Sequence, residues 1–153
     1  MLAEGTCSQP SCRLGCEKIE TAEHIFAECP VYEAWRVEAG DSLSEKIRAR
    51  FDAKGIGDEK IANILSKAKS FYRSDDELWP LGDSYYYLEH VPKFGAMLPL
   101  HEGITSLERA RLVHGIFCDW HTTSIRLASR IFGDFQRRTA IHWDERRIRN
   151  KED

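Results

Sequence analysis

Three cysteines and a histidine crowd into the stretch from residue 12 to residue 29, as Cys12-Arg-Leu-Gly-Cys16 and then His24-x4-Cys29, and nothing else in the sequence restricts the chain so severely. Four soft or borderline donors supplied as two close pairs are what a tetrahedral zinc ion takes, at about 2.0–2.3 Å from each donor. Gly15 lets the backbone fold back between the first two cysteines so that both thiols face one point. A segment this short has little apolar core, so metal binding would be part of its folding energy. With Cys12, Cys16, His24 and Cys29 filling all four positions, no place is left for a reactive water. The expected Zn²⁺ is therefore structural, and three thiolates leave the centre at about −1. Two other readings of these residues stay open: Cys7 paired with Cys12 as the first pair, or an inert cluster, because a free cysteine behaves as a small hydrophobe.

The distribution of cysteine favours metal over disulfides. Four of the five thiols lie before residue 30, Cys118 stands alone, and no signal peptide or apolar membrane-spanning run is visible. The expectation is an intracellular chain of 153 residues with no membrane partner, dividing into a zinc-knuckle module over 1–40 and a helical domain over 41–153. Net charge is −3, which argues against a strong nonspecific hold on nucleic acid by the chain as a whole. The charge is unevenly spread. Residues 1–40 hold three basic and seven acidic side chains, whereas 109–151 holds ten basic and four acidic, so a polyanion should meet the C-terminal half.

Periodicity predicts a mainly α fold. Thr21 precedes a short helical turn with His24, Ile25 and Phe26, and Pro30 suits the first position of a helix holding Val31, Ala34 and Trp35. Ser42 and Glu45 have capping-box spacing and would open the next helix, with Leu43, Ile47 and Phe51 inward and Gly55 and Gly57 closing it. A partner helix from Asp58, with Ile61, Ile64, Leu65, Ala68 and Phe71 on one face, completes a hairpin. Between Asp75 and Leu100 a connection rich in Pro and aromatics, including Trp79, Tyr85, Tyr86, Tyr87 and Phe94, should pack on the helices. Thr105 and Glu108 form a second capping box, opening a long helix with an apolar stripe of Leu112, Val113, Ile116, Phe117, Trp120, Ser124, Leu127, Ala128, Ile131, Phe132 and Phe135. Its length calls for a bend near Gly115 or Gly133.

His114, Cys118 and His121 share a face of that helix at i, i+4 and i+7, but no fourth ligand is near, and the simpler reading is polarizable residues at the margin of the stripe. Asp75-Asp76 lies in a polar hinge after Ser74, where a capping or solvated role fits better than metal-dependent chemistry. No nucleophile elbow, phosphate loop or His-Glu-x-x-His motif occurs. The chain therefore reads as a non-enzyme.

Cys12-Arg-Leu-Gly-Cys16, Glu20-Thr21-Ala-Glu-His24-Ile-Phe-Ala-Glu-Cys29-Pro30 and Trp35-Arg36 resemble the zinc-binding domain that follows the reverse transcriptase in non-LTR retrotransposon polyproteins. Trp79-Pro80-Leu81, Tyr86-Tyr87-Leu88-Glu-His90-Val91-Pro92, Asp119-Trp120-His121 and Ile125-Arg126-Leu127-Ala-Ser-Arg130-Ile131 are similar to the C-terminal tails of such elements in mushroom-forming fungi. The resemblance implies metal ligation by Cys12, Cys16, His24 and Cys29, and a parent polyprotein that handles RNA and DNA in a nuclear setting. The polymerase and nuclease residues of such a parent are absent from this sequence, and the acidic knuckle lacks the basic surface expected of a template grip. The leading expectation is a non-catalytic module contacting RNA or DNA through Arg126, Arg130, Arg137 and Arg138, with Arg146, Arg147 and Arg149 beyond them. The alternatives are a structural module that docks on a reverse-transcriptase domain through Trp79 and Tyr86, and a degenerate remnant with no activity.

Overall fold

A computed structural model describes residues 10–73, 91–98 and 103–149, with side chains described to residue 140. Among these residues the fold is helical, with no strand beyond one isolated bridge between Ser11 and Ile19. A five-residue π turn, His24–Glu28, leads through a 3-10 turn, Pro30–Tyr32, into α1 (Glu33–Asp52). Helix α2 (Asp58–Ser70) folds back on α1, and α3 (Ser106–Arg149) packs mainly along α1. No helix among the described residues is long and apolar enough to cross a membrane.

The stretch from residue 33 to residue 52 is one helix where the sequence suggested two, and it runs unbroken across position 40. Ser42 caps nothing and stays exposed, while Glu45 pairs with Arg48, which also reaches Asp58 at 2.9 Å. The capping pattern here serves a bridge between the end of α1 and the start of α2. Gly40 allows close approach: a Cβ there would collide with the Lys69 backbone carbonyl of α2. The stop is Gly55, at φ +71°. Ile56 N–H donates to the Phe51 carbonyl at 3.0 Å and Gly55 N–H to Asp52 at 2.9 Å, a Schellman closure whose flanking Phe51 and Ile56 are both buried.

Trp120 is the centre of the core and is fully buried. Phe71 meets its ring edge-on at 5.0 Å and Phe94 lies parallel to it at 5.9 Å, so the one described part of the aromatic connection packs as expected. Leu43, Ile47, Ile61, Ile64, Ile116 and Ile131 belong to the same buried cluster. The second capping box forms in both directions, Glu108 N–H to Thr105 Oγ1 at 3.2 Å and Thr105 N–H to Glu108 Oε2 at 2.9 Å.

From there α3 continues for 44 residues, about 66 Å at the usual rise, with no interruption at Gly115 or Gly133. Gly115 makes room for Arg50, whose guanidinium occupies the space of the missing side chain and pairs with Asp119. Phe117 and Phe132, expected inward, are 46% and 51% exposed. Each sits one residue, or about 100°, past a buried isoleucine, Ile116 or Ile131, which carries it off the packed face. Together with Leu107 and Ile125 they form a second, outward apolar stripe.

Two glycines in helices should respond oppositely to alanine. Gly40→Ala is expected to lose about 1–3 kcal/mol through overpacking against backbone. Gly133→Ala, where a Cβ meets nothing, should gain about 0.4–1 kcal/mol. Urea midpoints of the two variants measure both effects, and equal shifts would contradict the packing described.

Candidate metal centre

The knuckle is closed by short-range bonds before any metal is considered. Cys12 N–H donates to the Lys18 carbonyl at 2.7 Å, Gly15 N–H to Cys12 at 3.0 Å and Glu20 N–H to Pro10 at 2.9 Å. Gly15 takes φ +90° and Glu17 φ +63°, so the reversal uses one residue suited to the left-handed region and one that pays about 1–2 kcal/mol to be there. Arg13 clasps Glu20 with its backbone N–H at 2.8 Å and its guanidinium at 2.7 Å, which holds the Glu20 carboxyl below its ordinary range. Glu20 thus serves as a clasp that closes the knuckle.

The second pair depends on an unusual turn. Five residues along an α-helix rotate about 140° away from their starting face, which would point His24 and Cys29 apart. The π turn removes that conflict. Thr21 Oγ1 accepts His24 N–H at 3.0 Å to start it, and Cys29 N–H closes the wider ring on the His24 carbonyl at 2.5 Å.

These two devices bring Cys12, Cys16, His24 and Cys29 together so that one ligand atom from each lies within 4.8 Å of the others. A tetrahedral ion bound at 2.3 Å separates its ligand atoms by about 3.8 Å, so the cluster can close on one ion with small adjustments. His24 presents Nε2 to the Cys16 sulfur at 2.9 Å. Its Nδ1 is buried and unbonded, with Glu28 Oε2 at 3.8 Å on the side where an outer carboxylate orients a metal-ligating imidazole. Cys12, His24 and Cys29 are buried and Cys16 is partly exposed. The four residues can hold a metal ion, and Cys7 lies outside the described residues.

Without an ion the thiols are unevenly poised. Burial pushes Cys29 up to about 12 and raises Cys12. At Cys16 burial also works upward and is the largest single influence, but hydrogen bonds from the Lys18 backbone and from the Cys12 and Cys29 thiols together outweigh it, and the thiol falls below its ordinary value. Cys16, the most accessible ligand, thus ionises first. A bound cation would reverse the balance at Cys12 and Cys29 and reinforce it at Cys16, because a coordinating thiol loses its proton outright. The Arg36 side chain, buried beside the site, donates to the Cys29 carbonyl at 2.8 Å and to Glu33 at 2.9 Å, while its Nε and one terminal nitrogen find no partner. This cation lies where three thiolates and a divalent ion would leave a negative charge. Sequence reasoning quoted Arg36 without giving it that role.

The knuckle is fastened to α3. Tyr32, three residues after Cys29 and fully buried, donates its hydroxyl to Asp134 at 2.9 Å, and the Arg13 guanidinium lies over the Phe135 ring at 5.1 Å. Asp134 also receives Arg138 at 2.6 Å and Arg137 at 3.6 Å.

Three of the four expected phosphate ligands are therefore already engaged, since Arg130 lies 3.1 Å from Glu38 with its guanidinium 4.0 Å over Trp35. Arg126 alone of the four has no partner among the described residues. The side chains of Arg146, Arg147 and Arg149 lie outside the described set, as do Asp75, Asp76, Trp79, Tyr85, Tyr86 and Tyr87. His114, Cys118 and His121 form no metal cluster among the described residues. Cys118 faces His114 at 3.6 Å, and His121 turns away to stack on Phe117.

No family model matches the chain, and neither the curated proteins nor the solved structures contain a match to it.

Burial works against the Asp134 charge, but the bonds from Tyr32 and Arg138 and the nearby arginines outweigh it and hold this carboxyl below its ordinary value. Its stabilising contribution is therefore complete above the unfolded carboxyl range and is lost as pH falls through the folded value. Asp134→Asn is expected to cost about 1–3 kcal/mol at pH 7 and progressively less toward pH 2, measured as denaturant midpoints across that range. A pH-independent difference would mean that the charge does no work in the clamp.

Proposed function

We propose that the chain is a non-catalytic zinc-binding module of a retroelement reverse-transcriptase polyprotein, in which the metal fixes the knuckle against α3 and the α1–α3 surface assists nucleic-acid binding. The observation that carries this reading is the gathering of Cys12, Cys16, His24 and Cys29, the ligand set that the family resemblance implies, into one largely buried cluster. Three sulfurs and one imidazole nitrogen suit zinc, and four protein ligands make a closed structural site without an open position for water. Support for the nucleic-acid part comes from Arg126, which has no partner among the described residues, and from the exposure of Arg130, Arg137 and Arg138, about half or more of each side chain. These cations can exchange an intramolecular carboxylate for phosphate, because exposed ion pairs stabilise by only about 0–1 kcal/mol.

A second reading is a structural module docked on a polymerase domain. The outward stripe of Leu107, Phe117, Ile125 and Phe132 favours it, since a row of large apolar side chains on one helix face is unusual without a partner. The aromatic segment first expected to dock lies outside the described residues.

The two parts of the proposal separate experimentally. Purified protein should carry one zinc per chain by metal analysis; Cys16→Ser should lose it and unfold the N-terminal region, while Cys7→Ser and Cys118→Ser keep it. Well-folded protein without zinc would overturn the metal assignment. Replacing Arg126 with alanine should weaken oligonucleotide binding and reduce the salt slope by about one. Binding to a purified reverse-transcriptase domain that survives this change but fails in Phe117→Ser would favour the docking reading.

A further inference from the structure

The α1–α3 contact leaves a groove of about 150 Å³ lined by Trp35, Glu38, Ala39, Ser42 and Lys46 from one helix and Thr123, Arg126, Leu127 and Arg130 from the other. Three cations and one carboxylate line it, a local surplus of positive charge on a chain whose net charge is −3. The carboxylate, Glu38, is taken by Arg130 at 3.1 Å. Lys46 has only a neutral partner among the described residues, the Thr123 hydroxyl at 3.3 Å, and Arg126 has none. Two cations on the groove thus lack an acid.

The floor of the groove is aromatic. Trp35 is half-buried, braced on one side by Tyr32 at 5.2 Å between ring centroids, with Arg130 over its ring at 4.0 Å. A guanidinium on an indole leaves a layer that a third planar group can join or replace. A cavity of this size accepts about one aromatic ring. It is too small for a whole nucleotide to be enclosed, so the sugar and phosphate of any nucleotide seated here would lie at the rim, where Lys46 and Arg126 stand.

We infer that this groove is a single-strand subsite: one unpaired base stacks at Trp35 against or in place of the Arg130 guanidinium, and the adjoining phosphates pair with Lys46 and Arg126. The inference rests on the nucleic-acid reading above and deepens it by naming the strand state. A duplex keeps its bases inside the stack and offers only phosphates, whereas a single strand offers a base face as well, and stacking on an aromatic side chain tolerates any base. The same geometry gives Ser42 and Thr123 the place of hydroxyl donors to the backbone.

The test is fluorescence anisotropy with the zinc-loaded full chain, using a labelled 15-nucleotide single strand and the same strand annealed to its complement at several salt concentrations. The single strand should bind about tenfold more tightly than the duplex. Trp35→Leu and Arg126→Gln should each abolish most of that preference, and Trp35→Phe should keep part of it. Because Trp35 also supports Tyr32, Ser42→Glu serves as a variant of an exposed residue that adds an acid to the groove and should have the same effect without disturbing the core. Arg137→Ala, outside the groove, should weaken single strand and duplex alike. Equal affinity for both forms, with Trp35→Leu neutral, overturns the subsite and leaves general nucleic-acid binding standing. No binding to either form sinks the nucleic-acid reading as well. Full competition by millimolar inorganic phosphate or by an acidic peptide, with no preference between strand forms, reassigns the groove to simple anions.

Discussion

A helix of 44 residues cannot bury itself, and the rest of this protein is arranged around that constraint. Helix α3 is far longer than the hairpin beside it, so its core-facing side must be covered in successive sections by different parts of the chain. Trp120 and its aromatic neighbours from α2 and the 91–98 segment cover one section. The middle of α1 covers the next, with Lys46 reaching Thr123 and Glu38 reaching Arg130. The knuckle covers the last, through Tyr32 on Asp134 and Arg13 on Phe135. Helix α1 is continuous because it must span the last two sections without a hinge. An internal break at Ser42 would have disconnected the knuckle from the hairpin.

This arrangement makes the Cys/His cluster part of the fold, not an appendage. Its last ligand, Cys29, is followed directly by the turn that starts α1. Arg36 from the first two turns of that helix returns to the Cys29 carbonyl, so a cation and a helix both converge on the same backbone segment. A buried arginine with unbonded nitrogens is costly in isolation. It is reasonable chemistry beside a centre whose thiolates bring negative charge. With a metal bound, the cluster and the arginine would each offset what is otherwise a penalty for the other.

Local signals survived translation into structure where the relevant partners are close in sequence. The ligand spacing, the Thr105–Glu108 box, the stop at Gly55 and the inward face of α2 all involve residues within a few turns of each other. Features that depend on distant partners left no such signal. The reason for a missing Cβ at Gly40 is the Lys69 carbonyl, on another helix. The pairing of Arg130 with an acid 92 positions away, and of Tyr32 with one 102 positions away, likewise leaves no local signal. Phe117 and Phe132 merged with the core stripe in the sequence because two apolar faces on one helix read as a single broad one. The π turn had a legible cue in the four-residue gap between His24 and Cys29, which no α-helical face can satisfy.

The placement of Cys29 has one more consequence, for the order in which the chain assembles. Starting a helix is unfavourable because several backbone angles must be fixed for a single hydrogen bond, whereas extending one is nearly free. Cys29 already supplies its carbonyl to Tyr32 N–H at 3.2 Å, at the head of a helical run that continues through the 3-10 turn to Asp52. An ion held by Cys29 would therefore fix the residue at the head of that run, so that metal capture would favour the start of α1.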